Sequence, residues 1–391
     1  MLVLAAVHFV VDLFSGMPPA ILPAILDQFG WELPRGAFVL VVLYLTCNGV
    51  QVLTGQVRSG KRQPLLMHVG LILAAGICLL AALPRGRAAF PVMLVLAVTS
   101  GFGIAIVHPE SLRAVHRLKR IPPAVSTAVF MAGGFLGYAS GGGVSAFLVS
   151  RFGFQGLYPL VGCSVLVIIT VVLLKIRLAV EPAVPNERVP RGPVVRRLPF
   201  WWIFAMAMPA AVSTTILAVL LPTVLVRGLG FDLTFGGYST TVFGLGGAAG
   251  AFFWARVAHR RGELACTIAS LFFAGPVLFV YLMLISHWPA ICILPVAGFC
   301  TIAAYTLMIT LARHATGPAL GRRMGAMVGG TWALAYLVFM GVLSAAKHMH
   351  IESQAVLHLA PWGYLLSGSL GVFVMLRTPV APHGRPRIAG D

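Results

Sequence analysis

The residues with chemistry to offer are few, and they stand in apolar surroundings. His8 and Asp12 are four positions apart, so a helix puts both on one face. His108-Pro109-Glu110, followed by Arg113, closes a second apolar run. Charge in hydrocarbon costs several kcal/mol and marks substrate or proton pathways. Carboxylates in poorly solvated cavities and histidines both exchange protons near neutral pH. Asp12, or the His8–Asp12 pair, is therefore the candidate proton site. His108 and Glu110 would complete the relay or bind substrate, and Arg113, if it faced a cavity, would hold a phosphonate or carboxylate. Two imidazoles and two carboxylates are also a ligand set for a divalent transition metal, so His8, Asp12, His108 and Glu110 carry an alternative reading as a metal-ion pathway. Simple packing remains a third reading: a neutralised His8–Asp12 pair, with Arg113 at the membrane boundary against Glu110.

The elements that must position these residues follow from composition. Of 391 residues, 59% are hydrophobic and 10% charged, and the mean hydropathy is +0.94. That is too little charge to cover a water-facing surface. Unbroken apolar runs of about 20 residues exclude a transmembrane barrel, whose strands alternate over about ten. Twelve spans can be drawn, at 2–27, 36–57, 64–83, 89–112, 122–150, 156–178, 199–226, 233–256, 264–286, 289–312, 323–346 and 356–377. With both termini cytoplasmic, 22 of the 28 Lys and Arg fall on the cytoplasmic side and 6 outside, as positive-inside topology requires. The net charge of +18 then faces an anionic leaflet, and no nucleic-acid partner is needed to explain it. At 1.5 Å per residue, His8 and Asp12 lie about 10–17 Å from the inner end of span one, and His108 about 13 Å deep in span four. Two helices drawn independently thus place their ionisable groups at one height. The first run continues to about residue 27 without a basic n-region, and reads as a retained span. Six cysteines without CxxC spacing read as reduced packing residues.

The Pro- and Arg-rich stretch 179–198 reads as a cytoplasmic linker between an N-terminal six-helix bundle, 1–178, and a C-terminal one with a short tail, 199–391. The halves resemble each other at an offset of roughly 197–200 residues. Ile21-Leu22-Pro23 recurs as Leu220-Leu221-Pro222, Gly30-Trp31-Glu32-Leu33 as Gly230-Phe231-Asp232-Leu233, and Gly101-Phe102-Gly103 as Gly298-Phe299-Cys300. Asp12 and His108 correspond to Ala211 and Tyr305, so only one half carries the charge. Tyr305, with Ser213, Thr214 and Thr215, would offer neutral hydrogen bonds from the second half. In span five Gly133, Gly137, Gly141 and Gly142 read either as close helix packing or as a gate. The loop Gly55-Gln56-Val57-Arg58-Ser59-Gly60-Lys61-Arg62 nearly matches a phosphate-binding loop, but it ends on Arg62 and follows no soluble strand, so nucleotide binding is rejected. No nucleophile–base pairing points to an enzyme.

Six spans, a linker and six more, as parallel repeats, is the arrangement of major facilitator transporters. Within that superfamily, His8-Phe9-Val10-Val11-Asp12, Gly16, Ala20-Ile21-Leu22-Pro23 and Gly101-Phe102-Gly103 with His108-Pro109-Glu110-Ser111-Leu112-Arg113 resemble the fosmidomycin-resistance family of exporters. The resemblance covers about residues 5–150. It departs at Val11, where the family tends to have Asn, and at Tyr138, where the span-five glycine motif of antiporters has Pro. The resemblance implies a bacterial inner-membrane, proton-driven efflux protein for a small organic compound, one linked to drug resistance. The expected partners are substrate, protons and the lipid bilayer, with the chain working as a monomer and no cofactor beyond the proton gradient.

Overall fold

The computed structural model describes residues 1–57, 62–118, 120–121, 123–179 and 198–378, and of 52–57 and 123–124 the backbone alone. Residues 180–197 of the expected linker, 58–61 and the basic tail beyond 378 lie outside the described residues. Within them the chain is helical, with one isolated bridge between Pro199 and Thr316. The first half holds α1 (Leu2–Phe29), α2 (Leu33–Val57), α3 (Leu65–Ala74), α4 (Ala89–His116), α5 (Pro123–Phe152) and α6 (Pro159–Leu173). The second holds α7 (Phe200–Thr223), α8 (Leu233–Arg261), α9 (Glu263–Met283), α10 (Leu294–His314), α11 (Leu320–Gly325), α12 (Thr331–His348), α13 (Ser353–Leu357) and α14 (Ala360–Arg377).

Among the described residues, eleven helical stretches are long and apolar enough to cross a membrane, and Pro159–Leu173 is a shorter twelfth. Several expected spans are not single α-helices: the seventh ends in a π turn over Val224–Gly228, and the tenth begins in a 3₁₀ turn over Trp288–Ile293. The third tightens into a 3₁₀ turn over Ala75–Ala82. The eleventh joins α11 to α12 through a π turn, Ala326–Gly330. The twelfth is divided between α13 and α14. Hydrophobic periodicity predicts apolar length but not these changes of winding.

The sequence repeat has a local cause. Gly30 and Gly230 both take positive φ, 62° and 76°, and each ends a long helix. The next residue folds back: Trp31 N–H donates to the Leu26 carbonyl at 2.9 Å and Phe231 N–H to the Leu225 carbonyl at 3.0 Å. The repeated Gly-aromatic pair is thus the same left-handed helix stop used twice. Asp232, which follows, caps α8 by accepting from Phe235 N–H at 2.8 Å.

Packing in the first half is organised by α1 and α5. A Cβ on Gly133 would stand 2.4 Å from the Ala5 carbonyl oxygen, on Gly137 2.1 Å from that of Phe9, and on Gly141 2.4 Å from that of Leu13. Both series advance by four residues, so three glycines of one face lie on three successive turns of α1. Gly142 faces the other way: its Cβ would meet Thr240 of α8 at 2.0 Å. Thr241 beside it accepts from Gly143 N–H at 2.8 Å and donates to the Ala139 carbonyl at 2.6 Å.

That seam joins the halves toward the end of the bundle where α1 stops. The same end carries an Arg227–Asp27 ion pair at 3.2 Å and a Lys347–Glu32 ion pair, and nearer mid-height Tyr44 stacks parallel on Tyr336 with centroids 4.6 Å apart. Every one of these contacts crosses between halves. At the opposite end, where α1 starts, α4 and α5 are separated from α8 and α10 by a cleft of about 570 Å³. The end where α1 stops is tied across the halves by ion pairs, beside a cavity of about 760 Å³ lined by Asp27, Phe152 and Val226.

Candidate functional site

The residues singled out on α1 and α4 do meet. Asp12 Oδ2 is 3.1 Å from His8 Nε2, and Asp12 Oδ1 is 3.0 Å from His108 Nε2. The imidazole rings stand edge to face, 5.2 Å apart. His8 Nδ1 lies 2.8 Å from the Phe130 carbonyl of α5, and His108 Nδ1 lies 2.8 Å from the Ile104 carbonyl one turn earlier. The Phe130 ring stacks on His8 at 4.1 Å. A single carboxylate thereby ties α1, α4 and α5 together. The side chains of Asp12 and His108 keep 18% of their accessible surface, whereas His8 keeps 5%. The cluster is therefore exposed on the Asp12–His108 side.

The notch that receives it is Gly134, which lies about 100° around α5 from the Gly133 face. A Cβ there would fall 2.4 Å from His8 Cε1 and 2.6 Å from Asp12 Oδ2. Neither Gly134 nor the Phe130 carbonyl was predicted as part of the site. The available signal was Gly134 itself, a glycine outside the four-residue series.

Proton bookkeeping follows from these partners. A carbonyl oxygen can only accept, so each Nδ1 must carry hydrogen and donate. Each Nε2 then faces a carboxylate oxygen, which is a hydrogen bond only if a proton lies between them. Satisfying both contacts takes two protons shared by three groups, which gives the cluster a net charge of +1. With one proton, one Nε2 lone pair would oppose a carboxylate lone pair, and that contact would have to open or admit water. The three donor atoms also lie within 4.8 Å of one another, the compactness a divalent metal requires. Their Nδ1–carbonyl bonds are the outer contacts that orient metal-ligating imidazoles.

The other candidates stand elsewhere. Glu110 is 3% exposed, and its Oε2 accepts from Met67 N–H at 2.9 Å. Met67 is in the first turn of α3, where Pro64 provides no side-chain cap. Glu110 thus serves as an N-terminal acceptor for a neighbouring helix, favoured by that helix's dipole. It lies two residues from His108, a rotation of about 200° on the same helix. That rotation takes it off the shared face and out of the four-residue metal set. Arg113 is 8% exposed and donates from Nη2 to the Ala179 carbonyl at 2.8 Å. It fastens the chain that follows α6 and does not line the open cleft. Tyr305 donates to the Met327 carbonyl in the π turn and packs edge-on against Trp332 at 4.9 Å, away from the His–Asp cluster. Ser213 and Thr215 are buried, and Thr214 pairs with the Tyr364 hydroxyl at 2.7 Å. Gly133, Gly137, Gly141 and Gly142 all sit at helix contacts.

Two related groups of membrane-crossing helices with a cleft between them have the architecture of a membrane transporter. Residues 4–386 match the family model for the Major Facilitator Superfamily, and the chain belongs to that superfamily. Comparison with curated proteins finds no match. Among solved structures, a D-xylose–proton symporter is similar with a TM-score of 0.70 at 14% identity, covering 96% of each chain. A bacterial homologue of the human lysosomal transporter Spinster, in an inward-facing and occupied conformation, is similar with a TM-score of 0.64 at 14% identity, covering 98% of each chain. At such identities these likenesses speak for the fold.

Proposed function

We propose that this transporter exports a small organic solute in exchange for protons by alternating access, and that His8, Asp12 and His108 are its proton site. One observation carries the reading: a single accessible carboxylate bridges two imidazoles whose other nitrogens are both committed to backbone carbonyls. Such a cluster changes its hydrogen bonding with each proton gained or lost, and its members sit on two different helices. The export direction and a fosmidomycin-like substrate rest on the His108-Pro109-Glu110-Ser111 resemblance. Location in a bacterial inner membrane, termini in the cytoplasm, rests on that resemblance and on the distribution of Lys and Arg. The open end is then the cytoplasmic one. The 1–178 and 199–391 bundles would be the two rocking units, with Gly142 at their seam.

Inside-out vesicles test this with fosmidomycin as the probe. Wild type should accumulate it only under a proton gradient, and Asp12→Asn should lose that dependence. Uptake by Asp12→Asn that still tracks the gradient would refute the assignment.

A second reading has one observation in its favour, the convergence of three metal-donor atoms in the same cluster. A divalent-metal carrier would bind Co²⁺ with visible absorption bands that vanish in His8→Ala. An organic-solute exporter shows none.

A further inference from the structure

The open cleft has a lining that sequence reasoning did not single out. Thr127, Met131 and Phe135 form its α5 wall, Phe252 contributes from α8, and His116 and Arg313 stand at its mouth. From Thr127 to Phe135 the wall runs about 12 Å along the helix. The volume, about 570 Å³, falls within the ordinary range of small-molecule sites. The polarity is graded: methionine and aromatic rings toward the bundle centre, basic groups at the face where α4 and α10 end. His116 and Arg313 occupy the last turns of α4 and α10. They correspond at the same chain offset that relates His108 to Tyr305, so the pseudo-symmetry puts one basic group on each side of the mouth. Among the described residues, no hydrogen bond or ion pair engages the Arg313 guanidinium. Glu263, which begins α9 at this face, feels the charge of His314. Arg113, by contrast, is spent on the Ala179 carbonyl.

We propose that this cleft binds amphipathic organic anions, with Arg313 and His116 holding the anionic head and Met131, Phe135 and Phe252 enclosing an apolar body about 12 Å long. The inference deepens the transport reading above by giving its substrate a chemical class and an anchor. A planar guanidinium suits sulfonate, phosphonate or carboxylate heads through paired hydrogen bonds. The deep end of the cleft reaches Phe135, next to Gly134, against which His8 and Asp12 pack. A bound solute would therefore end at the height of the proton site, about 100° around α5 from it.

Calorimetry on the full chain in lipid nanodiscs tests the proposal with three probes: decyl sulfonate, decyltrimethylammonium and toluenesulfonate. Decyl sulfonate should bind saturably, the cation should not, and toluenesulfonate should bind more weakly because it leaves the deep end empty. Arg313→Gln should weaken decyl sulfonate about tenfold or more. Ala255→Trp, placing a bulky ring in the cleft, should abolish binding while its thermal midpoint stays near wild type. Equal binding of cation and anion, or unchanged affinity in Arg313→Gln, would overturn the proposal. No step of this measurement needs proton movement. A negative result here sinks the substrate class and leaves the vesicle experiment to judge proton coupling separately.

Discussion

Gly134→Ala and Gly137→Ala make the same chemical change three residues apart on one helix, and the geometry separates their consequences. At Gly134 the new methyl would stand 2.4 Å from His8 Cε1, 2.5 Å from His8 Nε2 and 2.6 Å from Asp12 Oδ2. All are side-chain atoms. Relief requires them to retreat by about 1 Å, since ordinary carbon contacts begin near 3.4 Å. His8 cannot retreat freely, because its Nδ1 is held by the Phe130 carbonyl and its ring by the Phe130 stack. The 3.1 Å His8–Asp12 contact is the one that gives. A hydrogen bond between charged partners contributes about 1.5–3 kcal/mol, and 1.36 kcal/mol corresponds to about one pH unit. The pH midpoint of transport should move by about one to two units toward acid, because the cluster then holds its second proton less firmly.

At Gly137 the methyl would stand 2.1 Å from the Phe9 carbonyl oxygen and 2.8 Å from its Cα. Backbone meets backbone, so α1 and α5 must part. Overpacking of this kind costs about 1–3 kcal/mol. The thermal midpoint in detergent should fall for Gly137→Ala and stay near wild type for Gly134→Ala, and the two should be compared in one preparation. A Gly134→Ala protein with an unaltered thermal midpoint and an unaltered pH profile would refute the reasoning, because the His8–Asp12 contact would then be irrelevant to proton uptake.

Glu110→Ala should cost about 1–3 kcal/mol of stability by leaving Met67 N–H without its carboxylate acceptor, yet leave the pH dependence of transport in place; a lost pH dependence with a stable fold would return Glu110 to the relay. At the closed face, Lys347 holds the exposed Glu32 carboxyl below its ordinary value of 4.5. The ion pair is therefore complete above that value and is lost as pH falls through the lowered one. Spin labels on Gln28 and Met349 should move apart on acidification, and Glu32→Gln should show the wider distance already at neutral pH. An unchanged distance in both cases would remove this pair from the closure.

Much of this architecture could be read before any coordinates, and the exceptions have identifiable causes. Apolar run length located the spans, because a membrane core leaves little freedom in how a twenty-residue apolar segment is used. Axial height was also legible: rise per residue put His8, Asp12 and His108 at one level. Azimuth was the weaker inference. Glu110 was grouped with His108 by proximity in sequence, although a rotation of about 200° separates them. The charge of Arg113 points to an anion, whereas its partner is the backbone carbonyl of Ala179, and no pattern of side chains announces a carbonyl. The same blindness hid the Phe130 carbonyl. The span-five glycines were legible as a spacing of four, but which helix they served depended on packing that only the fold displays.

The asymmetry between the halves suggests how proton loading would reach the cleft. In the second half the place of His108 is taken by Tyr305, whose hydroxyl is committed to the Met327 carbonyl in the π turn; that joint is neutral and does not respond to protons. In the first half the joint is titratable, and among the described residues it is tied to α5 by a hydrogen bond from His8 Nδ1 to the Phe130 carbonyl. Phe130 stands between Thr127 and Met131, both on the wall of the cleft. Loss of a proton from the Asp12 cluster would release His8 from its fixed position and thereby the adjoining turn of α5, while the glycine contacts at Gly137 and Gly141 keep the rest of that helix on α1. The wall should then move and the seam should not. Spin labels on Thr127 and Ala255 should show a pH-dependent distance in wild type, and labels on Ser145 and Tyr238, beside the seam, should not. His8→Phe keeps a ring to stack on Phe130 but cannot exchange a proton, and it should freeze the first distance at all pH values. A Thr127–Ala255 distance that still follows pH in His8→Phe would mean that the proton signal reaches α5 by another route.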